Sequence, residues 1–204
     1  MTAGALGPVF RCFVAVPLPA GAKQFLAAFM SRAKPAFPGY RFGAAQNLHI
    51  TLQFLGDVER AKIPFLMKTL NDAAASVPPF RLGLGGSGSF PEHGAPRILH
   101  ISIGPGKQEL SVLAAKVNGA LSAAGYRPDK PFVAHITLGR ARDRQARPGE
   151  DTAAEWRAAY SAYVSESGSP EQWDAAEMLL MESVLAPGGP SYTARGTVHL
   201  SGKS

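Results

Sequence analysis

His49 and His135 each head the same four residues, within Asn47-Leu48-His49-Ile50-Thr51-Leu52 and Val133-Ala134-His135-Ile136-Thr137-Leu138. In an extended strand alternate side chains share a face, so His49 goes with Thr51 and His135 with Thr137, while the aliphatic residues turn the other way. Each copy offers an imidazole and a hydroxyl together. An unperturbed histidine titrates near ~6.5, so two of them across one cleft can divide the work, one neutral and accepting a proton, the other charged and donating one. Cleaving a phosphodiester needs both: a base to activate water and an acid to protonate the leaving oxygen. Thr51 and Thr137 can hydrogen-bond nonbridging phosphate oxygens or orient the water. Five residues beyond each histidine stand Arg140, whose guanidinium can neutralise phosphate, and Phe54, on which a base can stack. An odd offset points away from the histidine face of a regular strand, so both roles require a bulge or a turn.

Plainer readings stand beside these. A lone histidine in an apolar strand is more often a core or surface residue than a catalyst, and it is the repetition that lifts this pair above that default. Phe54 is as readily a core residue. His100 lies in an alternating stretch where burial or exposure is the default and lining the cleft the alternative; His93 and His199 read as solvent-exposed. Zinc bound by His49 and His135 would need a third ligand, and neither motif carries a carboxylate on the histidine face.

The elements that must position these residues follow from periodicity and punctuation. Phe10 to Val16, stopped by Pro17 and Pro19, reads as a buried strand containing Cys12, the single cysteine, which leaves no partner for an intramolecular disulfide. Helices are expected over Ala20–Ala33, from Asp57 as N-cap through Ile63, Leu66, Met67 and Leu70 to about Ser76, and through Leu110, Leu113, Val117 and Leu121. Thr152-Ala-Ala-Glu155 is a capping-box pattern opening a helix to about Val164. Further strands are expected at Tyr40–Gly43, Phe80–Leu84, Arg97–Ile103, Glu177–Leu185 and Tyr192–Leu200, the last two joined by a tight turn from Pro187 to Pro190. Gly85 to Pro96 reads as a long loop that can border a site, without the lysine and hydroxyl of a phosphate-binding P-loop. Residues 1–8 read as a flexible tail and 143–172 as a basic loop plus an extra helix.

Adjacent strand pairs argue for an α+β fold of mixed or antiparallel sheet rather than a doubly wound parallel one. The expected organisation is a single domain, 1–204, of two lobes with flanking helices, one motif in each. A formal charge of +6 and a pI near 9.7 favour polyanionic partners such as RNA. No secretory signal and no apolar run near ~18 residues is evident, which points to a cytoplasmic protein with no membrane association; a monomer is expected.

The chain resembles the 2H phosphoesterase superfamily, specifically its RNA 2′,3′-cyclic phosphodiesterase (2′-5′ RNA ligase-like) branch. The resemblance is carried by Arg11 to Pro19, Asn47 to Gly56, Phe90-Pro91 with Pro96-Arg97, Phe132 to Arg142, and Glu182-Ser183 with Gly188-Gly189 and Tyr192, spanning nearly the whole chain. It implies two pseudo-symmetric lobes around a central cleft and hydrolysis of RNA or nucleotide 2′,3′-cyclic phosphate ends to 2′-phosphates, with no metal or cofactor. It carries catalytic roles onto His49 and His135, phosphate contacts onto Thr51, Thr137 and Arg140, and base stacking onto Phe54. His135 would activate water and His49 protonate the leaving group. An RNA-end-binding module and a reversible 2′-5′ RNA ligase are the alternatives for the same cleft. Two positions depart from the pattern: Ala134 replaces a customary proline, and His100 stands where an apolar or aromatic residue is common.

Overall fold

The computed structural model describes residues 8–142, 151–186 and 189–202. Ten strands and four helices are described in the order β1 (Val9–Pro17), α1 (Ala20–Ala33), β2 (Tyr40–Phe42), β3 (His49–Glu59), α2 (Ile63–Ala74), β4 (Phe80–Leu82), β5 (Leu84–Phe90), β6 (Ile98–Ile103), α3 (Lys107–Ala123), β7 (His135–Ala141), α4 (Thr152–Ser167), β8 (Trp173–Ala175), β9 (Glu177–Ala186) and β10 (Gly189–His199). Eight strands form one sheet in the order β10-β9-β1-β3-β7-β6-β5, with β2 also on β7, and every pairing is antiparallel. The fold is α+β, as expected. β4 and β8 make a separate two-stranded ribbon.

The sheet falls into two four-strand halves, β10-β9-β1-β3 and β7-β6-β5 with β2. They meet through a single residue pair, Ile50 opposite Ile136, both fully buried. Helices α2 and α3 cover the first half, burying Leu66, Leu70 and Ala74 and Leu110, Leu113, Val117 and Leu121 at helical spacing. Helices α1 and α4 cover the second. There Phe29 of α1 meets Trp156, Tyr160 and Tyr163 of α4 at centroid distances of 4.9, 5.0 and 5.3 Å. An Arg32–Glu166 ion pair bridges the same helices on the exposed side.

Four expectations are corrected. Asp57 caps no helix: it lies within β3 opposite Arg11, because pairing with β1 carries the strand on to Glu59. Much of the expected loop from Gly85 is strand β5, in which Gly85 and Gly88 lie close against Ser102 and His100 of β6; a Cβ at Gly88 would sit 2.7 Å from the His100 ring. Loop composition here reflected close packing across a strand pair. Thr152 is the first residue of α4, buried at 8%, and Asp151 precedes it with no side-chain cap, so the capping box does not form. The helix also continues past Val164 to Ser167. The short strand β8 had no sequence signal, since three residues are too few to show a period. The expected tail up to residue 7, the basic stretch 143–150, and Pro187 and Gly188 of the expected turn lie outside the described residues.

Candidate active site

Ile50 opposite Ile136 in an antiparallel pair sets His49 across from Thr137 and Thr51 across from His135, all four on the face away from the buried isoleucines. On the other edge of β7, His100 and Ser102 oppose Thr137 and His135 and therefore share that face. Strand β2 continues along the same β7 edge that β3 uses, and of the residues between them Gly43, Ala44, Asn47 and Leu48 line the cleft. The open cleft has a volume of about 240 Å³, and its lining includes all six residues singled out by spacing: His49, Thr51, Phe54, His135, Thr137 and Arg140.

The bulges that the odd offsets required are present, at equivalent places in both motifs. On β3 the register against β1 skips Leu52, between Ala15–Thr51 and Val14–Gln53. On β7 the register against β6 skips Leu138, between His100–Thr137 and Leu99–Gly139. The extra residue restores the parity, so the side chains five residues on return to the histidine face. In each motif the leucine is thus both the inserted residue and a core residue, at 3% exposure for Leu52 and 1% for Leu138. Phe54 is 61% exposed, which removes the core reading for it.

Both imidazoles are held alike. Nδ1 of His49 donates to the Asn47 carbonyl at 2.6 Å and Nδ1 of His135 to the Val133 carbonyl at 2.7 Å. A carbonyl can only accept, so the Nδ1 proton is retained and Nε2 is the atom that exchanges protons. Nε2 of His49 lies 3.0 Å from the Thr51 hydroxyl. Two rings support each histidine: Phe13 and Tyr192 lie 4.8 and 5.3 Å from His49, and Phe90 and His100 lie 5.0 and 5.3 Å from His135. His100 is buried, at 7% exposure, and is not among the residues that line the cleft; its ring packs against His135 from beneath the wall. It stacks on Phe90 at 4.4 Å, and the Trp156 indole N–H donates to its backbone carbonyl at 3.2 Å.

Burial lowers the pKa of both motif histidines, and the Arg140 guanidinium adds to the effect, while the carbonyls at Nδ1 oppose it. His49 also feels His135 and Lys23. His100 is driven down to about 4 by burial first and by His135 second. It is therefore neutral at neutral pH and behaves as an uncharged ring.

Several cleft residues went unread in the sequence. Arg41 lines the cleft directly opposite Arg140. Phe13 supports His49 from a strand read only as core. The Asn47 amide donates to the Pro190 carbonyl at 2.7 Å, tying the start of β10, and with it Tyr192, to the first motif. The one visible signal was that Asn47 has no polar counterpart at Val133. Among the described residues no three His, Cys, Asp or Glu side chains gather as metal ligands, so the third ligand of a zinc reading is not supplied there.

The cleft brings two histidines together at the seam of an antiparallel sheet, and sequence comparison places the chain in a phosphoesterase family. The chain belongs to the 2′-5′ RNA ligase superfamily, whose family description matches residues 17–184, and it is an enzyme of that phosphoesterase family. It is 33% identical over 147 residues to an RNA 2′,3′-cyclic phosphodiesterase of Archaeoglobus fulgidus, covering 72% of this chain and 76% of that one. Among solved structures it resembles TT0787 of Thermus thermophilus, with a TM-score of 0.75, 27% identity and coverage of 95% of this chain and 100% of that one. It also resembles E. coli LigT complexed with 3′-AMP, with a TM-score of 0.72, 25% identity and coverage of 95% and 99%.

Proposed function

We propose that the cleft hydrolyses 2′,3′-cyclic phosphate ends of RNA or nucleotides to 2′-phosphates by two-histidine acid–base chemistry that needs no metal. The observation that carries this reading is the Ile50–Ile136 pairing, which puts two imidazoles with equivalent Nδ1 anchors, and hence equivalent reactive Nε2 atoms, on one face of one cleft. The names of the relatives and the net positive charge support the substrate class.

In the proposed reaction neutral His135 takes a proton from water at Nε2 as the water oxygen bonds to phosphorus. The bond from phosphorus to the 3′ oxygen breaks, and His49, protonated at Nε2, passes its proton to that oxygen. A 2′-phosphate and a 3′-hydroxyl result, with one water consumed. Thr51, Thr137 and Arg140 hold the nonbridging oxygens, whose charge grows in the transition state. Phe54, exposed at the cleft mouth, stacks the terminal base.

Chelator-treated protein incubated with adenosine 2′,3′-cyclic phosphate should form the 2′-phosphate, followed by phosphorus NMR. His49→Ala and His135→Ala should each lower kcat by roughly 10²–10⁴-fold. No turnover by the unaltered chain, or turnover that survives both substitutions, would overturn the proposal.

A further inference from the structure

We propose that Arg41 forms a second phosphate subsite, which takes a phosphate carried on the 5′ oxygen of the ribose whose 2′,3′ end reacts. The inference rests on the reading of Arg140 as a ligand of the reacting phosphate. Arg41 on β2 and Arg140 on β7 are direct cross-strand partners, which brings their Cα atoms to about 5 Å and their side chains to the same face. Like charges so placed destabilise a sheet. Among the described residues neither guanidinium has a carboxylate within ion-pair distance, and both line the cleft. Two cations held against each other, open to solvent and without a protein counter-ion, are matched by an anion from outside.

Position decides which anion. The reacting phosphate must lie between the histidines, over the Ile50–Ile136 pair, and Arg140 is four residues further along β7. At about 3.3 Å per residue, less the bulge, that is on the order of 10 Å of strand. One long side chain can bend back over that span toward the reacting centre, and mutual repulsion turns the other outward. Arg140 is the one nearer the reacting centre, because it follows Thr137 on β7 and its charge is felt at both motif histidines, which leaves Arg41, across from it on β2, for an anion further out. The next phosphate of a nucleotide chain is on the 5′ side of the same ribose, one nucleotide's reach away. A 5′-monophosphate and an internucleotide phosphodiester present the same group there.

Binding separates this proposal from the proposed reaction, since product-like ligands need no turnover. Calorimetry would compare adenosine 2′-monophosphate, adenosine 2′,5′-bisphosphate and a diadenylate ending in a 2′-phosphate. The unaltered chain should bind one or both of the last two roughly tenfold or more tightly than the first; which of them gains tells a terminal phosphate from a diester. Arg41→Gln should erase that preference, and Arg41→Lys should keep part of it. Thermal melting of Arg41→Gln should show a Tm equal to or above that of the parent, because a like-charge contact is removed. Equal affinity for all three ligands in the unaltered chain, or equal loss for all three in Arg41→Gln, would overturn the subsite. Failure of cyclic-phosphate turnover with the bisphosphate preference intact would instead count against the proposed reaction alone.

Discussion

Each motif histidine is fixed at one nitrogen by a carbonyl two residues back and flanked by two rings, so its remaining freedom is protonation at Nε2. Because burial and then Arg140 lower both pKa values, the bell-shaped profile of kcat/KM, which reports the free enzyme, should be centred below pH 6.5. Arg140→Gln removes one lowering influence from both groups and should move both limbs to higher pH, beyond lowering the rate itself. An unchanged profile in that variant would contradict the electrostatic account. His100 gives a separate stability prediction. Its folded pKa of about 4 lies below its ordinary 6.5, so the unfolded chain binds the proton first, and the stability due to neutral His100 is present above pH 6.5 and is lost as pH falls toward 4. A difference of that size is worth on the order of 3 kcal/mol. Urea titrations at pH 7 and pH 4 should show His100→Phe losing less stability than the parent over that interval.

At the scale of elements, the bulges at Leu52 and Leu138 and the edge pairing of β5 with β6 shape the cleft. Gly88 opposes His100, and a Cβ there would lie 2.7 Å from Cε1 and 2.9 Å from Nε2 of the ring. The ring cannot retreat freely, because it is stacked on Phe90 and set edge-on to His135. Gly88→Ala should therefore cost about 1–3 kcal/mol through overpacking. Adding His100→Ala should recover part of that loss, a coupling that a double-mutant cycle by denaturation would measure. Additive losses would mean that the glycine serves strand conformation and not the ring.

Across the whole molecule, two half-sheets with their own helix pairs are joined at one residue pair beneath the cleft. Ile136→Ala removes buried aliphatic volume at that seam and should cost about 2–5 kcal/mol in denaturant unfolding. It should also loosen the alignment of the two motifs, so kcat is expected to fall in a variant that remains folded at the assay temperature. Leu66→Ala, an equally buried aliphatic site on α2, which packs on α3 and β10 rather than on the seam, serves as the control: it should lose comparable stability with a smaller loss of kcat.

The repeated His-Ile-Thr-Leu was legible without coordinates because strand alternation is a local rule: it assigns faces from sequence separation alone. The helices of α1, α2 and α3 were legible for the same reason, their buried residues recurring at helical spacing. The glycine-rich β5 was not, since Gly85 and Gly88 answer to β6, and the capping box at Thr152 was not, since the helix starts one residue early and Thr152 lies inside it rather than at the N-cap. Phe54 and Arg140 were halfway cases. Spacing named them as candidates and stated the bulge they required, but an inserted residue is defined only against the register of a neighbouring strand. Arg41 lay beyond sequence reading altogether. Its significance comes from the residue opposite it, and which residue that is depends on how β2 docks on β7. Sequence determined the chemistry each strand can offer; only the tertiary register decided which side chains meet across the cleft, because pairing between distant strands is set by the whole sheet and leaves no local periodicity to read.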